Sequence, residues 1–190
     1  MNTYKIVLIG QCNSGKTSIV NRYIYNTFDH SSPTTIGASY YSKTLNLNSS
    51  PIRINIWDTA GGQSRYDTLL PMYFKSTHVI LIVYDITSRQ SYFQVSQYLN
   101  KIHMHLTTEN PKIILVGNKS DLTAQREVDY QEAEMYAKQN DLLFIECSAY
   151  HNTHINTLFD LIVNECQDMT SITNHVTLDY KQDDKKCCYL

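Results

Sequence analysis

Short apolar runs rich in β-branched residues recur along the chain, and between them apolar positions fall at the spacing of one helix face. The pattern predicts strands over residues 4–9, 40–47, 52–57, 79–84, 112–116 and 142–146. It predicts helices over 16–25, 66–75, 91–106, 130–139 and 153–168. Strands alternating with helices argue for an α/β fold, and runs such as Val79-Ile80-Leu81-Ile82-Val83-Tyr84 are too apolar for a half-exposed strand, so the sheet should be mostly parallel and covered on both faces. Between the second and third strands lies little more than Asn48-Ser49-Ser50-Pro51. A connection that short closes only a hairpin, which makes the second of the six strands an antiparallel edge. Beyond Asp168 the helical pattern stops, so residues 1–168 read as one domain and 169–190 as a flexible tail. As coil, the stretch from Met169 to Lys186 is a tether with a span of roughly 20–25 Å.

Composition narrows the class without changing this picture. The chain has 190 residues, 42% hydrophobic and 18% charged, which suits a single folded domain rather than a disordered or fibrous chain. Lys and Arg total 16 against 18 acids, for a net charge of -2, so the basic excess that nucleic acid selects is missing. No apolar run approaches the ~20 residues of a membrane span, and Met1-Asn2-Thr3-Tyr4 leads straight into a strand without a secretory signal, so a cytosolic chain is expected. The five cysteines show no paired spacing and are expected as reduced thiols, with Cys147 and Cys166 as small buried apolar groups. His103, His105, His151 and His154 complete no metal set and read as surface residues. The 15 tyrosines are scattered without a period.

The chemistry is concentrated where the glycines are. All six fall in loops at what would be one end of the sheet. Gly10-Gln11-Cys12-Asn13-Ser14-Gly15-Lys16-Thr17 follows the first strand and opens the first helix, the pattern and the setting of a phosphate-binding loop. Glycine lets backbone amides wrap phosphates, the helix N-terminus adds partial positive charge, Lys16 bridges the terminal phosphates and the Thr17 hydroxyl suits magnesium. The nucleotide-contacting run is thus expected to comprise Gly10, Cys12, Asn13, Ser14, Gly15, Lys16, Thr17 and Ser18. Asp58-Thr59-Ala60-Gly61 ends the third strand, where Asp58 can hold magnesium through water and the Gly61 amide can reach the terminal phosphate. Asn118-Lys119-Ser120-Asp121 ends the fifth strand; in the geometry this motif implies, the Asp121 carboxylate accepts from the ring N–H and exocyclic amine of guanine, donors that adenine lacks there.

With these three motifs in this order the chain resembles a Ras-like small GTPase over essentially its whole length, and so a P-loop NTPase fold. Ile54-Asn55-Ile56-Trp57-Asp58-Thr59-Ala60-Gly61, Pro71-Met72-Tyr73-Phe74-Lys75 and Thr35-Ile36-Gly37 resemble the Rab subfamily. Glu127 to Ala133 and Leu142 to Ala149 are most similar to its early-endosomal branch. The resemblance implies that Thr35 ligates magnesium in the GTP state only, that Phe28 packs on the guanine, and that Ser148 and Ala149, followed by Tyr150, close the base pocket. It implies GTP/GDP and Mg2+ as ligands and slow GTP hydrolysis with Gln63, Lys16 and Gly61 as the catalytic set. It implies an exchange factor, a GTPase-activating protein, a GDP dissociation inhibitor or escort protein and effectors as partners, for a monomeric domain that regulates vesicular traffic.

Four departures stand out. Where the family reads Trp-Asp-Thr-Ala-Gly-Gln-Glu, this chain reads Trp57-Asp58-Thr59-Ala60-Gly61-Gly62-Gln63-Ser64, one residue longer; Gly62 holds the catalytic place counted from upstream and Gln63 counted from downstream. Cys12 and Asn13 stand where small residues are usual, Asn being well suited to positive φ. Tyr150 replaces a lysine, and Ala38-Ser39 a more apolar stretch of the effector face.

The chain ends Lys185-Lys186-Cys187-Cys188-Tyr189-Leu190. Adjacent cysteines there resemble a double-prenylation signal, while Cys187 alone also fits a single-prenyl box; either places the protein on the cytoplasmic face of intracellular membranes, cycling with the cytosol. Three Lys balance three Asp over residues 179–186, so no polybasic patch assists and stable anchoring calls for two lipids. Two other functions compete with the switch. One is a lipid-anchored platform that holds GTP without hydrolysing it, prompted by Gly62 and Cys12; the other, a P-loop ATPase or nucleoside kinase, runs against Asp121 and a chain too short for a lid.

Overall fold

The computed structural model describes residues 1–46, 51–62, 68–106 and 110–179, with side chains as far as Asp168. Six strands form one sheet: β1 (Asn2–Ile9), β2 (Ala38–Asn46), β3 (Pro51–Thr59), β4 (Val79–Asp85), β5 (Lys112–Asn118) and β6 (Leu143–Glu146), in the order β2-β3-β1-β4-β5-β6. Only β2 runs antiparallel, Ala38 facing Thr59 and Asn46 facing Pro51; the others pair in parallel, so the expected edge strand is found. The helices are α1 (Lys16–Tyr25), α2 (Leu70–Phe74), α3 (Arg89–His105), α4 (Tyr130–Gln139) and α5 (Ile155–Asp179).

Alternation along each strand decides which face a residue joins. Ile6, Leu8, Ile54, Leu81, Val83 and Val116 point to one face and are covered by Ile19 and Val20 of α1 and Leu158, Phe159 and Ile162 of α5. Val7, Ile9, Ile80, Ile82 and Leu115 point to the other, beneath Phe74 of α2, Val95 and Leu99 of α3 and Ala133 of α4. The strand order reverses beside β1, and a crevice at the carboxyl ends of the strands is where open α/β sheets bind ligands.

Several helix bounds differ from the sequence reading, α3 starting two residues early at Arg89 because Ser88 caps it, its side chain accepting from Ser91 N. The described part of α2 starts at Leu70 rather than 66, because Pro71 has no N–H and is tolerated only in a first turn; residues 63–67 lie outside the description. Helix α5 starts at Ile155 rather than 153, since Thr153 exchanges backbone hydrogen bonds with Ser148 and Asn152 and His154 take φ 60° and 57°, incompatible with a helix. Its backbone also runs on to Asp179 instead of stopping at Asp168: neither Gly nor Pro follows Gly117, so no breaker ends it. No described helix is long and apolar enough to cross a membrane.

Cys147 and Cys166 are fully buried, as their apolar surroundings in the sequence imply, and burial pushes both thiols from an ordinary 9.0 up to about 12. Below pH 9 both are protonated whether the chain is folded or not. Between 9 and 12 the unfolded thiols ionise while the folded ones stay protonated, so stability is lost as pH rises. The loss reaches about 4 kcal/mol per thiol. Urea midpoints measured across this range should fall less steeply for the Cys147→Ala, Cys166→Ala double variant than for the parent; equal slopes would contradict the burial account.

Candidate nucleotide-binding site

The loop after β1 turns sharply into α1, with Asn13 at φ 63° and Gly15, the N-cap, at φ 89°. The Asn118 side chain ties this loop to the other end of the site: its Nδ2 donates to Ser14 O at 2.9 Å, and its Oδ1 accepts from Ala149 N at 3.3 Å. Lys16 folds back inside the loop, donating to Gly10 O at 3.1 Å and Gln11 O at 2.9 Å. Its side chain is buried, which lowers the ammonium pKa, while Asp58 acts to raise it. Among the described residues its hydrogen-bond partners are these two carbonyls, and a buried ammonium so held is a charge awaiting an anion.

Gly61 packs into the same loop. A Cβ there would sit 2.5 Å from Gly10 O and Lys16 Nζ and 2.6 Å from Cys12 N, so no side chain fits. Its neighbour Ala60 donates to Gly37 O at 2.8 Å, linking the segments on either side of the phosphate loop. Beside them Thr17 Oγ1 donates to Asp58 Oδ2 at 2.6 Å and meets Thr35 Oγ1 at 2.9 Å. Asp58 is fully buried and its Oδ1 has no partner. Burial raises this carboxyl's pKa, opposed by the hydroxyls of Thr17 and Thr35 and by Lys16. Two hydroxyls and a buried carboxylate with one oxygen orphaned fit a hard divalent cation such as magnesium. A cleft of about 80 Å³ lies here, lined by Lys16, Thr17, Ser18, Thr35 and Gly61, with Cys12 half-buried at its edge.

A second, larger cleft of about 540 Å³ opens beyond Gly15, lined among others by Phe28, Asn118, Lys119, Asp121, Ala149 and Tyr150. Asp121 Oδ1 accepts from Ser148 Oγ at 2.5 Å, which sets the carboxylate's orientation. The structure therefore brings together every described residue expected at the site. Gln63, Cys187 and Cys188 lie outside the described residues.

Three residues escape the sequence reading. Asp85 pairs with Lys119 Nζ at 2.5 Å and takes bonds from the Thr87 amide and hydroxyl; its place at the end of β4, level with the other motifs, is the signal that points to it. Arg22 donates from Nε to Ala149 O at 2.8 Å and from Nη2 to Tyr150 O at 3.0 Å, tying α1 to the base loop across 127 and 128 residues of sequence, a link no local pattern contains. His30 stands at the mouth of the larger cleft. Ile36, Tyr40 and Met72 are exposed, and the Trp57 ring lies 5.4 Å from Tyr40 and 6.0 Å from Tyr73.

Comparison with known proteins agrees with this geometry. The Ras family model matches residues 5–168. Human Ras-related protein Rab-25 is 38% identical over 182 residues, covering 92% of this chain and 84% of the relative. Bovine Rab-25 is 39% identical over 162 residues, 85% of this chain and 75% of the relative, and mouse Rab-17 is 37% identical over 161 residues, 85% and 74%. A phosphate loop, an oxygen-donor cluster and a base cleft at one sheet end, in a chain matched along most of its length, place this protein in the Rab group of the Ras family of small GTPases, which bind GTP or GDP with Mg2+.

Proposed function

We propose that the protein is a switch that binds GTP, hydrolyses it slowly and thereby regulates vesicular membrane traffic from the cytoplasmic face of membranes, anchored through Cys187 and Cys188. The observation that carries this reading is the meeting of Thr17, Thr35 and Asp58 beside Lys16 and Gly61. Magnesium, when bound, supplies charge that steadies the phosphate oxygens. Lys16 places its ammonium at the terminal phosphates, and Gly61 offers its backbone N–H to the γ-phosphate. Thr35, on the segment before β2, is held by the same phosphate, so its loss frees both flanking segments and changes the surface formed by Ile36, Tyr40 and Met72. Asn118, Lys119, Asp121, Ser148 and Ala149 hold the base. The exposed apolar side chains of Ile36, Tyr40 and Met72 support effectors as partners, with exchange factors, activating proteins and an escort protein acting at the same loops and tail.

The extra residue at the Gly61-Gly62 pair bears on catalysis. Gly62 takes φ 69° against Cys12, a conformation that glycine adopts freely, which supports accommodation of the added residue as a bulge at the glycine pair. That supports Gln63 keeping the place from which it orients the attacking water. In single-turnover assays of preloaded GTP the parent should hydrolyse, and Gln63→Leu should be at least about tenfold slower, in keeping with a water-positioning role. If the parent and Gln63→Leu are inert and only a Gly62-deleted variant turns over, the protein is instead a platform that holds GTP.

A further inference from the structure

Three aromatic rings meet at the mouth of the larger cleft, drawn from two separate parts of the chain. Phe28 and His30 stand on the segment between α1 and β2 that also carries Thr35, while Tyr150 stands in the loop between β6 and α5. The Phe28 and His30 centroids are 4.9 Å apart at 83°, Phe28 and Tyr150 5.3 Å at 69°, and His30 and Tyr150 5.3 Å at 58°. These separations fall in the range of attractive ring pairs. The two sides are not equally anchored. Arg22 grips the backbone under Tyr150 through Ala149 O and Tyr150 O, whereas beside His30 the segment is held by a local turn in which Ser31 N donates to Asp29 Oδ1 at 2.8 Å. Tyr150 is thus a fixed post and His30 a ring on a segment able to part from it.

We propose that His30 and Tyr150 form an aromatic latch across the nucleoside cleft and set how fast bound guanine nucleotide leaves. The inference rests on reading the cleft as a guanine nucleotide site. All three rings line the cleft, and because Asn118 is buried while His30 and Tyr150 are exposed, a nucleoside seated against Asn118 and Asp121 lies deeper than the ring contact. To leave, it must separate the segment bearing His30 from the loop bearing Tyr150, and that separation breaks the ring pairs. Tyr150 brings neither the charge nor the base-edge contact of the lysine usual at this place in the family. Its effect is therefore on the rate of opening and not on which base is accepted.

The test is release of a fluorescent GDP analogue from the full-length protein with Mg2+, chased by excess unlabelled GDP. A ring pair of this kind corresponds to a change of about three- to tenfold. His30→Ala and Tyr150→Ala should each speed release by that factor, and the double variant should be little faster than the faster single one, since both remove one contact. His30→Phe and Tyr150→Phe should keep the parental rate. The ratio of release rates for the GDP and IDP analogues should be the parental one in every variant. Parental rates in the alanine variants, multiplicative effects in the double variant, loss of the rate in the phenylalanine variants, or a shifted GDP to IDP ratio would each overturn the latch while leaving the nucleotide site standing. A parent that retains no guanine nucleotide overturns the reading of the cleft, and the latch with it.

Discussion

An Asp121→Asn variant should lose GTP affinity by about 10⁴-fold and gain affinity for xanthosine triphosphate, the size being what a polar site exerts against a ligand that leaves its groups unpaired. Guanine presents two donors along this edge, and a carboxylate accepts both. Asparagine offers one acceptor and one donor, so its amide N–H would face the exocyclic amine of guanine, donor against donor. Xanthine carries a carbonyl in place of that amine and matches the altered pair. Ser148 Oγ holds Asp121 Oδ1 at 2.5 Å, so the side chain cannot turn aside to relieve the mismatch. Competition binding against a fluorescent GDP analogue reads the outcome. A GTP affinity within tenfold of the parent would remove Asp121 from base recognition and reopen the adenine-specific reading that its carboxylate argues against.

The second large effect should come from Lys16→Met, with opposite signs on binding and on the stability of the free protein. The Lys16 ammonium lies inside the phosphate loop with Gly10 O and Gln11 O as its hydrogen-bond partners, and burial lowers its pKa. In the free protein the buried charge is a cost, so the isosteric apolar side chain should leave the thermal midpoint unchanged or higher. With nucleotide the phosphates lose their cation, and truncating one partner of a buried, hydrogen-bonded charge pair lowers affinity by about 10²- to 10³-fold. At GDP a thousandfold above the parental Kd the parent gains about 4 kcal/mol of stability and the variant little. A thermal shift with GDP equal to the parent's would show that Lys16 does not face phosphate.

Much of this molecule is legible along the chain because the forces concerned act over a few residues. Strands announce themselves by runs of β-branched residues, the phosphate loop by two glycines five apart before a helix, and Asn13 by tolerance of positive φ, met here at 63°. Of the misplaced bounds, the start of α5 was settled by tertiary contact: it follows from the Ser148–Thr153 pairing and the positive φ values of Asn152 and His154. The Asp85–Lys119 ion pair and the grip of Arg22 on the base loop were likewise absent from any local window.

From sequence spacing alone follow the α/β class, the antiparallel edge, the three nucleotide motifs and the end of the sheet at which they gather. Each is a matter of residue type and short-range geometry. Which residues touch across that end was decided by the strand order β2-β3-β1-β4-β5-β6. It sets β1 against β3 and β4, and β5 against β6, so that loops distant in sequence meet. Asn118 reaches Ser14, Thr17 reaches Asp58 and Thr35, and the rings of Phe28 and His30 close on Tyr150. Those contacts exist only after burial of the two apolar faces has fixed the register of the sheet, which is why a one-dimensional pattern names the participants and only the packed chain supplies their geometry.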